Sequence, residues 1–346
     1  MDFSLLTRLT ETPGISGREE QVRELVAGQL SGIAAETTVD AMGNLVVHIP
    51  GNGPRVALIA HMDEIGFMVS KIEKEGFIRV MPVGGVDQQV FWAQKVIVHG
   101  KKDLPGVTGT VPPHLMKTAD GQENRKNLSI EEGFIDLGLP PEIVFDFVTT
   151  GDPVTFATRS WENEYSFFGK ALDDRVGLFM MIESVRQAKK LDCDLFLIAS
   201  TQEEYGLRGA GPAVFSVAPR IAVALEGTVA SDTPNVKLPS NMETTSQGKG
   251  AEIRLTDRRM ISDRQLADFF IRLAIEEDID HQVIVKNMGT TDAAMGQISA
   301  AGAKACAVSV PCRYIHGPVA VAGKRDISQA VALVSAFLKR VSESKL

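Results

Sequence analysis

RVALIA, residues 55–60, followed at once by His61-Met62-Asp63-Glu64, is the stretch on which the fold turns. A compact apolar run of strand length suits a strand buried on both faces of a sheet. Here it ends in a histidine and two carboxylates. The arrangement recurs downstream. DLFLIAS (194–200) leads into Gln202-Glu203-Glu204, RIAVAL (220–225) into Glu226, and KACAVSVP (304–311) into Cys312-Arg313-Tyr314-Ile315-His316. Leu45–Pro50 adds a short strand pattern before the first of these.

Helical patterns alternate with these runs. Ser16 and Glu19 read as a capping box ahead of Val22, Leu25, Val26 and Leu30. Asp174–Lys190 places Val176, Phe179, Met180 and Val185 on one face. Ser262 and Gln265 read as a second capping box, before Leu266, Phe269, Phe270 and Leu273. Asp326 opens a last amphipathic helix with Ile327, Val331, Val334, Phe337 and Leu338. Strands alternating with helices predict an α/β class with a mainly parallel sheet covered on both faces. From Gly66 to about Tyr165 the chain instead becomes rich in Gly, Pro and Val. Short strands are expected at Phe77–Met81, Lys95–Val98 and Gly106–Val111, with an exposed polar loop over His114–Gly133. Residues 1–65 and 166–346 therefore read as one catalytic domain, and residues 66–165 as a small β domain inserted into it.

Composition bounds the function. The 346 residues are 44% hydrophobic and 23% charged, enough to bury a large core, and their number suggests two domains. A net charge of -8 and the lack of a Lys/Arg run argue against nucleic acid as a partner. Cys193, Cys306 and Cys312 form no C-x-x-C pair, which suits a reducing compartment. The N-terminal residues do not read as a signal peptide and no apolar run reaches membrane-spanning length, so a cytoplasmic protein without membrane contact is expected.

Open α/β sheets bind ligands beyond the carboxyl ends of their strands. Four strands deliver His61, Glu203, Glu204, Glu226 and His316 toward one such edge, and Asp173-Asp174 stand at the start of a helix. Imidazole and carboxylate donors suit zinc, cobalt or manganese, and no choice among the three follows from the ligands. Two ions about 3.5–4 Å apart are commonly bridged by a shared carboxylate. Of the adjacent Glu203 and Glu204, one can ligate while the other takes a proton from water. Singly, each residue has a plainer use. His61 suits a packed histidine, Asp173 or Asp174 a helix cap, Glu203-Glu204 and His316 a solvated loop, and Glu226 a cap or an exposed position. Their joint occurrence at strand ends favours a dinuclear hydrolase. A deacylase or amidase with the same centre, a glycan hydrolase and a non-enzymatic scaffold are the alternatives.

The segments Ala60–Gly66 (AHMDEIG), Ala171–Arg175 (ALDDR), Gln202–Ala210 (QEEYGLRGA) and Arg313–Pro318 (RYIHGP) together resemble the tetrahedral, or TET, metallo-aminopeptidases. That group includes glutamyl aminopeptidases and members called endoglucanase M. The resemblance spans nearly the whole chain. It implies a three-layer α/β/α exopeptidase domain with a PDZ-like β insertion that serves assembly, and a homododecamer acting on short peptides. It implies two divalent ions per subunit, zinc foremost with cobalt or manganese as alternatives. His61 and Glu226 would hold the first ion and Glu204 and His316 the second, with Asp173 bridging. Asp63 would orient His61, and Glu203 would be the general base. Gly289-Thr290-Thr291-Asp292-Ala293 resembles the group's substrate-pocket segment, which makes Thr291 and Asp292 substrate-binding candidates; a turn with a capping Asp292 is the plain alternative. Two positions depart from the pattern. Glu226 stands where many relatives carry Asp, and Val319-Ala320 where many carry a Glu.

Overall fold

The computed structural model describes residues 1–111 and 129–346. Most of the loop expected over His114–Gly133 lies outside the described residues. Its end, Ile130–Glu132, is a single 3-10 turn capped by Ser129.

The chain divides into two compact units. One is Met1–Glu64, Ser160–Ile315 and Val319–Leu346; the other is Ile65–Arg159 with His316–Pro318.

The first unit holds one sheet. In chain order its strands are β1 (Glu36–Val39), β2 (Leu45–Ile49) and β3 (Arg55–His61). The second unit contributes β4 (Gly66–Ile72), β5 (Ile78–Val83), β6 (Lys95–His99), β7 (Asp103–Gly109), β8 (Phe134–Asp136) and β9 (Pro153–Phe156). The first unit resumes with β10 (Trp161–Glu162), β11 (Ser166–Gly169), β12 (Asp194–Ser200) and β13 (Ile221–Val229). It ends with β14 (Ala251–Thr256), β15 (His281–Val285), β16 (Lys304–Arg313) and β17 (Ala320–Gly323). The sheet runs β1-β2-β12-β3-β13-β16-β17-β11-β10, with β14 beside β16 and β15 beside β14.

Only part of this sheet is parallel. The strands β12, β3, β13 and β16 pair in parallel, as do β14 and β15. The flanking pairs β1–β2, β2–β12, β14–β16, β16–β17, β11–β17 and β10–β11 are antiparallel. The expected mainly parallel sheet is thus a mixed sheet with a parallel centre. Short turns make hairpins of β1–β2, β10–β11 and β16–β17, and a hairpin can only be antiparallel.

The central runs are buried along almost their whole length, as their continuous apolar sequence requires. Alternation sorts their side chains. Val56, Leu58 and Ala60 join a core with Val22 and Val26 of the helix Glu20–Leu30, Phe179 of the helix Leu172–Ala188, and Val331 and Phe337 of the helix Lys324–Arg340. Ala57 and Ile59 instead pack with Ala210, Ala213 and Val214 of the helix Ala210–Val217. Neither expected capping box forms. Glu19 is the N-cap residue of the helix Glu20–Leu30 but makes no side-chain cap bond, and Asp263 rather than Ser262 accepts the amide of Leu266. Ser262 donates to the Arg254 carbonyl at 2.5 Å instead.

The second unit is a closed barrel in the order β4-β5-β8-β7-β6-β9. Phe67, Phe91 and Phe156 form its centre, with edge-on ring pairs at 5.2 and 5.5 Å. Among the described residues no helix is long and apolar enough to cross a membrane.

Candidate metal centre

His61 is the last residue of β3, one step beyond the buried apolar run. Its Nδ1 lies 3.0 Å from the Asp63 carbonyl. A carbonyl only accepts, so Nδ1 carries the proton and Nε2 is the nitrogen presented to the carboxylates. From Nε2 the distances are 3.3 Å to Asp173 Oδ1, 3.9 Å to Glu203 Oε2 and 4.0 Å to Glu226 Oε2. Ligand atoms of His61, Asp173 and Glu226 all lie within 4.8 Å of one another.

Asp173 and Asp174 open the helix Leu172–Ala188 with non-helical backbone. Asp174 faces away from the donor cluster into the sheet. It accepts the amides of His61 at 3.1 Å, Gly177 at 3.0 Å and Gly227 at 2.9 Å. A Cβ on Gly177 would strike both Asp174 oxygens, so glycine there is what lets the carboxylate seat. Glu226 lies inside β13 rather than beyond its end, because the strand continues to Val229.

Glu203 and Glu204 follow β12 in a loop. Their amides donate to Asp63 Oδ1 and Oδ2 at 3.0 and 3.1 Å. Asp63 is fully buried; burial pushes its carboxyl up, but the His61 contact, the Ser16 hydroxyl and the Glu203 amide hold it below its ordinary value. Burial raises Glu203 well above its ordinary value, and the carboxylates of Glu226, Asp292 and Glu204 add to the rise. Glu226 is raised likewise, by burial and then by Asp174. His61 is raised despite its burial, because Asp173 and Asp63 stabilise its cation.

These donors fit a divalent ion. Carboxylate oxygens of Asp173, Glu203 and Glu226 converge to within 3.3, 3.9 and 4.0 Å of one imidazole nitrogen. A divalent cation neutralises such a set and uses oxygen and imidazole donors of this kind.

Asp292 does not cap the helix Ala293–Ile298 that it precedes. Ser200 donates to its Oδ2, while its buried Oδ1 has no partner among the described residues. Burial pushes its carboxyl up to about 6. Thr291 Oγ1 accepts the Ala293 amide at 3.2 Å, so its hydroxyl shapes this turn. His316 belongs to the second unit, where Nδ1 donates to the Gly85 carbonyl at 3.0 Å. Sequence reasoning missed the roles of Ser16, Glu19, Asp174 and Ser200. Only Asp174 carried a signal, its place beside Asp173.

The sequence profile of the M42 glutamyl aminopeptidases matches residues 43–333. The chain belongs to the M42 glutamyl aminopeptidase family. This M42 chain is 35% identical to the lysyl aminopeptidase of Pyrococcus furiosus, over 99% of its own length and 98% of the relative's. An aminopeptidase from Desulfurococcus kamchatkensis superposes with a TM-score of 0.92 at 34% identity, over 98% of this chain and 94% of that one. The TET1 peptidase of Pyrococcus horikoshii, which can assemble into a tetrahedron or a large octahedral shell, superposes with a TM-score of 0.85 at 31% identity, over 97% and 98% of the two chains. The M42 chain is an aminopeptidase with the mixed α/β fold of these enzymes, and its buried His61 cluster is able to hold a metal ion.

Proposed function

We propose that this aminopeptidase cleaves N-terminal residues from short peptides at a dinuclear metal centre, with Glu203 as general base. His61 and Glu226 would hold the first ion, Glu204 and His316 the second, and Asp173 both. Zinc is the first choice, with cobalt and manganese served by the same donors. Bound there, the ions would polarise the scissile carbonyl and ease deprotonation of the attacking water.

The chain's own groups carry the rest. The observation that supports Glu203 most directly is its position, 11% exposed and 3.9 Å from His61 Nε2, with a carboxyl raised by burial and by neighbouring carboxylates. A raised carboxylate accepts a proton from water near neutral pH and can return it to the leaving amine. Asp63 orients His61 and holds the amides of Glu203 and Glu204. The unpartnered Asp292 Oδ1 suits the α-ammonium of the substrate, with Thr291 fixing the turn that presents it. This preference for a free amine is what makes the enzyme an exopeptidase.

The reading extends to a three-layer α/β/α catalytic domain formed by residues 1–65 and 166–346. Residues 66–165 form a PDZ-like β insertion that serves assembly into a cytoplasmic homododecamer. The tetrahedral assembly of the Pyrococcus horikoshii relative supports the oligomer.

The test is hydrolysis of a panel of aminoacyl-anilides and short peptides. Metal-stripped protein, protein refilled with zinc, cobalt or manganese, and Glu203→Gln are compared. Metal-dependent release of N-terminal residues, reduced on the order of 10²–10⁴-fold in Glu203→Gln, is expected. Equal cleavage of free and N-blocked peptides, or full activity in Glu203→Gln, would overturn the proposal.

A further inference from the structure

The loop that carries Glu203 and Glu204 hangs from two buried carboxylates. Asp63 takes the amides of Glu203 and Glu204. The amide just before them, that of Gln202, donates to Glu19 Oε1 at 3.1 Å across a sequence separation of 183 residues. Three consecutive N–H groups thus end on two side chains. Gln202 itself has φ +55°, a left-handed conformation that a non-glycine residue holds only when its surroundings impose it.

Glu19 is only 3% exposed, and the same Oε1 accepts the Gly17 amide at 2.7 Å. Three residues earlier, Ser16 Oγ donates to Asp63 Oδ2 at 2.6 Å. The segment holding both side chains is itself fastened. The Gly14 carbonyl accepts the Glu64 amide at 2.9 Å, and the Arg175 guanidinium donates to the carbonyls of Leu9 and Thr12. Neither the Ser16 nor the Glu19 side chain makes a helix-cap bond. Their bonds run instead to the loop and to the aspartate beneath it.

We infer that Glu19 and Ser16 are positioning residues for the general base. Glu19 sets the backbone of Gln202 and so the direction in which Glu203 leaves the loop. Ser16 holds the Asp63 carboxylate in the one orientation that receives two adjacent amides. The inference rests on the reading of Glu203 as base. Its content is hydrogen-bond acceptance at Glu19, not charge, since an amide oxygen at the same place would accept the same two N–H groups.

The experiment uses the full-length, metal-loaded enzyme and an aminoacyl-anilide. It compares Glu19→Ala, Glu19→Asp, Glu19→Gln, Ser16→Ala, Glu203→Gln and the double variant Glu19→Ala/Glu203→Gln. For each, kcat, KM, bound-metal stoichiometry and Tm are measured. Misplacing a reacting group by about an ångström costs on the order of 10²-fold, so Glu19→Ala should lower kcat by roughly 10–100-fold with KM and metal content nearly unchanged. Ser16→Ala should lower it less. Glu19→Gln should recover kcat to within about threefold, because the acceptor is kept. Should Glu19→Ala fail to fold, Glu19→Asp withdraws the acceptor by one methylene and should show the same fall. The double variant should be no slower than Glu203→Gln alone, since orienting an absent base has no value. A wild-type kcat in Glu19→Ala or Glu19→Asp, a Glu19→Gln as slow as Glu19→Ala, or losses that multiply in the double variant would each overturn the inference. Full activity in Glu203→Gln would instead remove the base reading beneath it.

Discussion

Ser200 donates its hydroxyl to Asp292 Oδ2, while Asp292 Oδ1 is buried with no partner among the described residues. A buried carboxylate oxygen left without a donor is costly, and a bound ammonium would remove that cost. Asp292→Asn should therefore weaken recognition of a free amine. An amino-acid hydroxamate should bind the wild-type holoenzyme about 10–100-fold more tightly than its des-amino analogue, the range for a hydrogen bond to a charged group. Calorimetric titration of both compounds should find that difference nearly abolished in Asp292→Asn. Undiminished discrimination in the variant would remove Asp292 from substrate binding.

The donor cluster should couple metal to stability. The carboxylates of Asp173, Glu203 and Glu226 crowd within 4.0 Å of His61 Nε2. Chelation should lower Tm and refilling should restore it, by about 2.7 kcal/mol of stability at a hundredfold excess over Kd. Glu226→Gln replaces a buried carboxyl whose ionisation burial and Asp174 oppose. It should melt above the wild type when both are stripped, and gain less than the wild type when both are refilled. Calorimetry in chelator and in metal buffer reads both comparisons. A stripped Glu226→Gln that melts below the stripped wild type would contradict this account.

Lys170 and Glu64 form a buried ion pair, with Nζ 2.5 Å from Oε1. Burial lowers the Lys170 pKa, and the Glu64 carboxylate opposes the fall. Removing Lys170 leaves Glu64 with the more distant Arg175 guanidinium, 3.8 Å away, so Lys170→Met should cost up to about 3–5 kcal/mol. Lys170→Met combined with Glu64→Gln should recover part of that loss. Denaturant unfolding of the two variants beside the wild type checks the order, which a more stable Lys170→Met single variant would reverse.

Lys286 gives a pH dependence of defined sign. It donates to Thr228 Oγ1 at 2.7 Å and lies 2.8 Å from Glu252 Oε1. Burial and the neighbouring Arg254 lower its pKa from 10.5 to about 8. Between those values the unfolded chain binds the proton that the folded chain has released. The Lys286 contribution to stability therefore rises as pH rises from about 8 toward 10.5. In Lys286→Met that contribution disappears, so the wild type should gain stability relative to the variant as pH rises across the window. Equilibrium unfolding at several pH values measures it, and a parallel pair of curves would rule it out.

The sequence by itself determined the buried strands and the donors at their ends. A run such as RVALIA has no polar face and must lie inside a sheet, so the residue that follows it emerges at the strand's end. His61 and the Glu203-Glu204 loop were legible for that reason. Glu226 was legible as a candidate donor but not as a residue within the strand, because the end of β13 depends on its pairing with β16 out to Val229.

Tertiary structure decided the rest. Ser16 and Glu19 carry the local pattern of a capping box, and nothing nearby in the chain distinguishes that use from the one observed. Their partners, Asp63 and the amide of Gln202, lie 47 and 183 residues away. Asp174 likewise turns into the sheet, while its neighbour Asp173 stays within 3.3 Å of His61. The antiparallel margins follow from which strands meet as hairpins. Periodicity reports which face of an element is apolar; it does not report which distant amide a buried carboxylate will find, since that is settled only when the elements pack.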